Sequence, residues 1–212
     1  MEELGDDYTF KLVLFGSESG KSSLISRYLD NNFSYNIPRT TASQFSNKTL
    51  TIDDKLIKIE IWDTMSDERF YTSLLRSVFF KNVNGLIITY DITQINSFKE
   101  VKRRIEQIEL YAPTNIRKIL VGNKIDLEEK RKVSEEEGKK LADLFNMNFF
   151  ETSCLSNINV DEVFLTLIKD IVEDEEKYNK NNKNNKNNKN NKPTIKLKKH
   201  YKKKSKQDKC NK

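Results

Sequence analysis

Phe15-Gly16-Ser17-Glu18-Ser19-Gly20-Lys21-Ser22-Ser23 is the stretch that decides how this chain is read. It follows the apolar run Lys11-Leu12-Val13-Leu14-Phe15, a buried strand by its pattern. It precedes Leu24-Ile25-Ser26-Arg27-Tyr28-Leu29, whose apolar residues recur at helical spacing. Strand, glycine-bearing loop, Gly-Lys-Ser and helix together form the context of a phosphate-binding loop. Backbone N–H groups of such a loop and of the helix N-terminus point at an anion, and the helix dipole favours it. Lys21 then adds a cation for the outer phosphates and Ser22 a hydroxyl for Mg²⁺. The usual pattern has four residues between its first glycine and Gly-Lys, whereas this one has three, Ser17, Glu18 and Ser19. From this stretch alone, a chance Gly-Lys-Ser at a helix start remains an alternative.

Working outward, 212 residues suffice for one core of ordinary domain size with some surplus. No apolar run approaches the ~20 residues of a membrane span. The acidic start, Met1-Glu2-Glu3-Leu4-Gly5-Asp6-Asp7, lacks the layout of a signal peptide, so a cytosolic protein is expected. Cys154 and Cys210 are far apart and Cys210 lies in a polar tail, which argues against a disulfide framework. His200 is the single histidine and is also in the tail, which excludes a histidine triad and a typical zinc site. The net charge of +6 conceals an asymmetry. Residues 177–212 carry fifteen Lys and one acid, Asp208, a net of +14, while residues 1–176 carry 23 basic and 31 acidic residues, a net of −8. An acidic body thus bears a strongly basic tail.

Along the body, Pro38-Arg39-Thr40-Thr41 lies in a polar loop, and Thr49–Ile52 with Leu56–Trp62 reads as a hairpin turning at Asp53-Asp54. Phe70–Phe80 reads as a helix and Gly85–Tyr90 as a buried strand. Ser97 opens an amphipathic helix to Tyr111, Lys118–Gly122 is a second buried strand, and Ser134-Glu135-Glu136-Glu137 caps a helix to Phe145. Phe149–Glu151 closes the strands, and the last helix spans Asn159–Val172. Alternation of helices with apolar-run strands predicts an α/β sheet, mostly parallel and covered on both faces. Ligands in such sheets sit at the carboxyl ends of strands. The polar motifs Gly16–Ser22, Asp63-Thr64, Asn123-Lys124-Ile125-Asp126 and Thr152-Ser153-Cys154 each follow a strand directly. From Tyr178 onward the Asn-Asn-Lys repeats have no apolar periodicity and are expected to be disordered.

Lys21-Ser22, Thr40, Trp62-Asp63-Thr64, Asn123-Lys124-x-Asp126 and Glu151-Thr152-Ser153, in this order, resemble the five nucleotide-binding motifs of the Ras superfamily of small GTPases. Lys58–Thr64, Glu68-Arg69-Phe70, Tyr90-Asp91-Ile92-Thr93 and the basic tail with a near-terminal cysteine look most like the Rab branch. The resemblance covers residues 8–173 and implies a P-loop NTPase fold. That fold has a six-stranded, mostly parallel sheet with one antiparallel strand pair and helices on both faces. Residues 1–176 would form the GTPase domain and 177–212 a polybasic tail.

The resemblance further implies GTP/GDP and Mg²⁺ as cofactors. Ser17, Glu18, Ser19, Gly20, Lys21, Ser22 and Ser23 would surround the phosphates, and Ser22, Thr40 (or its neighbour Thr41) and Asp63 would serve the metal. Asp126 would accept two hydrogen bonds from guanine, with Asn123 and Lys124 bracing the site and the backbone of Ser153, Cys154 and Leu155 contacting the base. Phe33, twelve residues after Lys21, is either a base-stacking ring or a partly buried loop aromatic. Phe45, Trp62 and Phe79 match the aromatic trio with which Rab proteins meet effectors, though core positions are the commoner place for aromatics.

One segment departs from the family. Asp-Thr-Ala-Gly-Gln-Glu is replaced by Asp63-Thr64-Met65-Ser66-Asp67-Glu68. Ser66 keeps the backbone N–H that faces the γ-phosphate but restricts the backbone. Asp67 stands where a glutamine orients the attacking water, and is shorter and anionic. Together with the shortened loop, these changes predict guanine-nucleotide binding with weak hydrolysis, a Rab-like switch in vesicle traffic. The alternative is a pseudo-GTPase acting as an interaction module. Effectors, exchange factor, GAP and GDP-dissociation inhibitor are expected on residues 39–45 and 63–80, and an anionic membrane surface on 177–212. A monomer, cytoplasmic and reversibly membrane-associated, is expected. Cys210 is a candidate lipid attachment site, although Cys210-Asn211-Lys212 does not fit the four-residue prenylation box. The tail's lysines also suggest non-specific nucleic-acid binding, against which stand the acidic body and the single aromatic, Tyr201, from residue 179 onward. No specific nucleic-acid partner is therefore expected.

Overall fold

Strand β1 (Tyr8–Phe15) ends in four consecutive buried residues, Leu12 to Phe15, and a strand that is apolar on both faces belongs in the middle of a covered sheet. The computed structural model describes residues 6–35, 37–38, 40, 44–64, 82–111 and 116–189. After β1 come helix α1 (Lys21–Asp30), the hairpin β2 (Gln44–Ile52) and β3 (Lys55–Asp63), and β4 (Gly85–Asp91). Helix α2 (Ile95–Tyr111), β5 (Arg117–Asn123), a 3₁₀ helix (Ile125–Lys130), α3 (Glu135–Leu144), β6 (Asn148–Thr152) and α4 (Val160–Lys189) complete the order. The expected Phe70–Phe80 helix lies outside the described residues.

The sheet has six strands in the order β2-β3-β1-β4-β5-β6. The β2–β3 pair is antiparallel and every other neighbouring pair is parallel, as the sequence pattern predicts. All seven residues of β4 are buried, whereas the edge strand β2 alternates exposed and half-buried positions, so burial falls from the centre to the edge. Asp53 and Asp54 both have positive φ, the geometry of a two-residue hairpin turn.

Alternate β1 residues feed two cores. Leu12 and Leu14 join Leu24, Ile59, Phe164 and Leu167 under α1 and α4; Val13 and Phe15 join Leu86, Tyr90, Val101 and Leu141 under α2 and α3. Each such side chain contributes about 1.5–3 kcal/mol by leaving water. Ser134 caps α3 with a complete capping box to Glu137, as its sequence announces.

Two compact units divide the chain, Met1–Asp174 and Glu175–Lys212. The sequence reading ends the last helix at Val172, but α4 runs to Lys189, through twelve residues assigned to the disordered tail. Helix propagates residue by residue once nucleated, and acidic residues preceding lysines favour it, as in the Glu176–Lys180 pair at 3.6 Å. Among the described residues no helix is long and apolar enough to cross a membrane.

Candidate functional site

Parallel pairing sets the carboxyl ends of β1, β3, β4, β5 and β6 side by side. Leu14 faces Asp63, Asp91 faces Asn123, and Asn123 faces Thr152, so the strand-following motifs meet at one rim.

The loop from Gly16 to Gly20 turns β1 into α1. Gly16 has φ +147°, and a Cβ there would lie 2.2 Å from the Thr89 carbonyl oxygen; Gly20 has φ +82°, and a Cβ there would lie 2.7 Å from Asn123 Nδ2. Both positions admit only glycine. The first turn of α1 has no acidic residue and no side-chain cap, an N-terminus whose dipole suits an incoming anion. Lys21 is 4% exposed and its Nζ donates to the Gly16 carbonyl at 2.6 Å. Burial pulls its pKa down to about 8, against a pull upward from Asp63 and a further push down from Arg104. Ser19 is fully buried, its hydroxyl bonded to Thr89 Oγ1 and its carbonyl accepting from Asn123 Nδ2 at 2.8 Å.

Ser22, Thr40 and Asp63 come from three separate elements and converge. Ser22 Oγ donates to Asp63 Oδ2 at 2.5 Å, Thr40 Oγ1 donates to the same oxygen at 3.1 Å, and the two hydroxyls lie 2.9 Å apart. Asp63 Oδ1 is buried and has no hydrogen-bond partner. Two hydroxyls and a carboxylate with an unanswered buried oxygen are the all-oxygen donor chemistry that suits a hard divalent cation such as Mg²⁺. The described residues hold no cluster of three His, Cys, Asp or Glu that could bind a metal otherwise.

At the other end, Asn123 is 2% exposed; besides bonding Ser19 it accepts from Thr152 Oγ1 at 3.0 Å and Cys154 Sγ at 3.5 Å. Lys124, with φ +72°, pairs with Asp91 Oδ2 at 2.7 Å. Asp126 opens the 3₁₀ helix, exposed at the rim, and its Oδ1 accepts from Ser153 Oγ at 2.6 Å. Burial raises the Cys154 thiol to about 11, so it is an inert wall group.

A cavity of about 400 Å³ joins the two ends. Glu18, Gly20, Lys21, Ser22, Ser23, Phe33, Thr40, Asn123, Lys124, Asp126, Cys154 and Leu155 line it, as expected from sequence. Ser17, Ser19 and Ser153 do not; Ser19 and Ser153 are fully buried behind its wall. Phe33 lines the cavity while packing on the core, with the Arg27 guanidinium 6.0 Å from its ring and Tyr35 edge-on at 5.1 Å. Away from the cavity, Phe45 is 57% exposed and stacks on Trp62 at 5.2 Å, with Lys11 Nζ 4.5 Å from the Trp62 ring centroid. Met65, Ser66, Asp67, Phe79 and Cys210 lie outside the described residues.

Sequence reasoning missed several supports. Tyr35, Ile37 and Pro38 also line the cavity, and Thr89 and Asp91 join Thr152 of the predicted motif in holding its wall from behind. Asp91 had a signal, since it ends a buried strand two residues before a threonine that bonds it. Thr89 had none, because a threonine in a strand is ordinary.

Comparison with known proteins agrees with this geometry. The family model described as the Ras family matches residues 11–173. GTP-binding protein YPT1 of Saccharomyces cerevisiae is 40% identical over 174 residues, 82% of this chain and 84% of that protein. Ras-related protein Rab-1 of Theileria parva is 40% identical over 174 residues, covering 81% and 78% of the two chains. Ras-related protein Rab-8 of Diplobatis ommata is 40% identical over 167 residues, covering 78% and 79%.

Proposed function

This chain belongs to the Rab branch of the Ras family of small GTPases, and from that membership we propose a guanine-nucleotide switch of vesicle traffic whose own hydrolysis is weak. The observation that carries the reading is the single cavity on which the phosphate loop, the Ser22–Thr40–Asp63 oxygens and the Asn123–Asp126 motif converge.

Asp126 receives the guanine N1–H and exocyclic amine, a charge-assisted pair that adenine cannot form. Ser153 holds the carboxylate in place by donating to Oδ1. Asn123 ties base end to phosphate end through the Ser19 carbonyl. Lys21 leaves the Gly16 carbonyl for the outer phosphates, and α1 offers the positive end of its dipole. Ser22, Thr40 and Asp63 would hold Mg²⁺. That ion would supply positive charge against the charge that develops on the phosphates.

Hydrolysis requires a water in line with the γ-phosphorus, whose attack releases GDP and phosphate. Ser66 and Asp67 replace the family's glycine and water-orienting glutamine, and the Asp67 charge opposes that of the phosphate. Stopped-flow binding of a fluorescent GTP analogue with single-turnover hydrolysis is expected to show binding but slow turnover. Asp67→Gln should raise the rate by about tenfold or more, since positioning a water is worth orders of magnitude. Wild-type hydrolysis as fast as that of a related Rab protein measured alongside would overturn the weak-hydrolysis reading. Binding with no turnover at all would favour the pseudo-GTPase module.

Residues 39–45 and 63–80 are the surface we assign to effectors and regulators; exposed Phe45 on Trp62 supports it. The basic residues 177–212 are assigned to an anionic membrane, at about 1 kcal/mol per lysine near the surface. Full-length protein should therefore co-sediment with vesicles rich in phosphatidylserine at low salt, release at high salt, and ignore neutral vesicles. Equal retention on neutral vesicles would contradict the electrostatic assignment.

A further inference from the structure

Helix α2 turns a stripe of Val101, Arg104, Ile105 and Ile108 toward the sheet, all 2% exposed or less. Three of these are apolar, as a core-facing stripe requires. The fourth is an arginine, which cannot shed its charge and is costly to bury without partners. Arg104 Nη2 donates to Ser17 Oγ at 2.8 Å and pairs at 3.3 Å with Glu100, whose side chain is 27% exposed.

Ser17 belongs to the phosphate loop, and its neighbour Gly16 holds the other buried cation, Lys21, at 2.6 Å. Two buried positive groups thus engage adjacent residues of one short loop. The two cations repel each other across the loop, with Glu100 offsetting Arg104 in part. An arriving polyanion would relieve that repulsion.

Which phosphate they favour follows from the geometry. A phosphate-loop lysine reaches the outer phosphates, and here its Nζ sits against Gly16, so Gly16 and Ser17 mark the outer end. The strand leading into that loop runs beside β3, with Leu14 paired to Asp63 and Thr64 Oγ1 donating to the Leu14 carbonyl at 2.6 Å. The loop at that end is one residue shorter than the usual pattern, with Ser17, Glu18 and Ser19 alone between Gly16 and Gly20.

We infer that Arg104 is a positioning residue of the phosphate site: through Ser17 it holds the shortened loop and sets a fixed positive charge behind the outermost phosphate, so that discrimination between triphosphate and diphosphate depends on α2. The inference rests on the guanine-nucleotide reading above.

The test measures Kd of the full chain for a fluorescent GDP and a fluorescent non-hydrolysable GTP analogue, each with Mg²⁺. Arg104→Gln should weaken the triphosphate analogue by about tenfold, a difference of 1.4 kcal/mol, and GDP by no more than about threefold. Arg104→Lys should restore most of the preference, because charge rather than shape carries it. Ser17→Ala should lower the preference by about threefold, the scale of one net hydrogen bond. Equal weakening of both nucleotides by Arg104→Gln, or none, overturns the inference. Should that variant fail to melt cooperatively, Ser17→Ala decides, and an unchanged triphosphate-to-diphosphate ratio overturns it. Wild-type protein that binds neither nucleotide fails the guanine-nucleotide reading itself and this inference with it.

Discussion

Replacing Asp126 with alanine is expected to weaken GDP and GTP binding roughly a hundred- to ten-thousandfold while leaving the fold intact. The two hydrogen bonds to guanine are charge-assisted, and each contributes about 1.5–3 kcal/mol once the base has displaced water. Nothing in the core depends on the carboxylate, which is exposed at the head of the 3₁₀ helix. Only Ser153 loses an acceptor, and its hydroxyl keeps the Ser156 amide as a donor to it at 3.0 Å. Preference for guanine over adenine should fall steeply in the variant, because only the backbone of Ser153, Cys154 and Leu155 would be left to read the base edge. Calorimetry or fluorescent-nucleotide titration with both bases measures this. A loss below tenfold with guanine preference retained would place the base elsewhere.

Lys21→Met is the second large effect, and it acts on binding and on stability in opposite directions. Binding of either nucleotide should fall at least about a hundredfold, since the side chain supplies the buried cation at the outer phosphates. The empty protein, in contrast, should become more stable at pH 7. Burial holds the folded-state pKa near 8, against 10.5 for the free side chain. Between these values the unfolded chain carries a proton that the folded one has shed, so stability rises as pH climbs from about 8 to 10.5. Below pH 8 the full cost is present, about 3 kcal/mol from the shift. Melting temperatures of nucleotide-free protein across pH 7–10.5 should rise more steeply for wild type than for Lys21→Met. Bound GDP should flatten the wild-type rise by giving the ammonium its counter-charge. Parallel wild-type and variant curves would mean that Lys21 is not the buried titrating group.

Much of this was legible locally. Apolar runs announced β1, β4 and β5; Ser134 and Glu137 announced the α3 cap; and each polar motif followed a strand, which placed it at the ligand-binding rim. The 3₁₀ helix was not legible, because it begins after a left-handed Lys124 that no propensity favours. The length of α4 was misjudged because Asn-Asn-Lys repeats lack apolar periodicity, whereas an existing helix end needs only propagation to grow through them. Arg104 read as one more polar residue of an amphipathic helix, because periodicity alone could not distinguish a solvent-facing position from one set against the sheet.

The sequence by itself determined the strands, the starts of the main helices, the family and the chemical identity of the phosphate and base motifs, because strand, loop and helix signals act over a few residues. Tertiary structure alone decided which oxygens meet. Asn123 reaches the Ser19 carbonyl across 104 residues, Arg104 reaches Ser17 across 87, and Ser22 reaches Asp63 across 41. Such contacts depend on the order and register of parallel strands, since a slip of one residue turns every side chain to the opposite face. The opening loop, one residue short as a motif, is held as a site by partners that its own neighbourhood in the sequence does not contain.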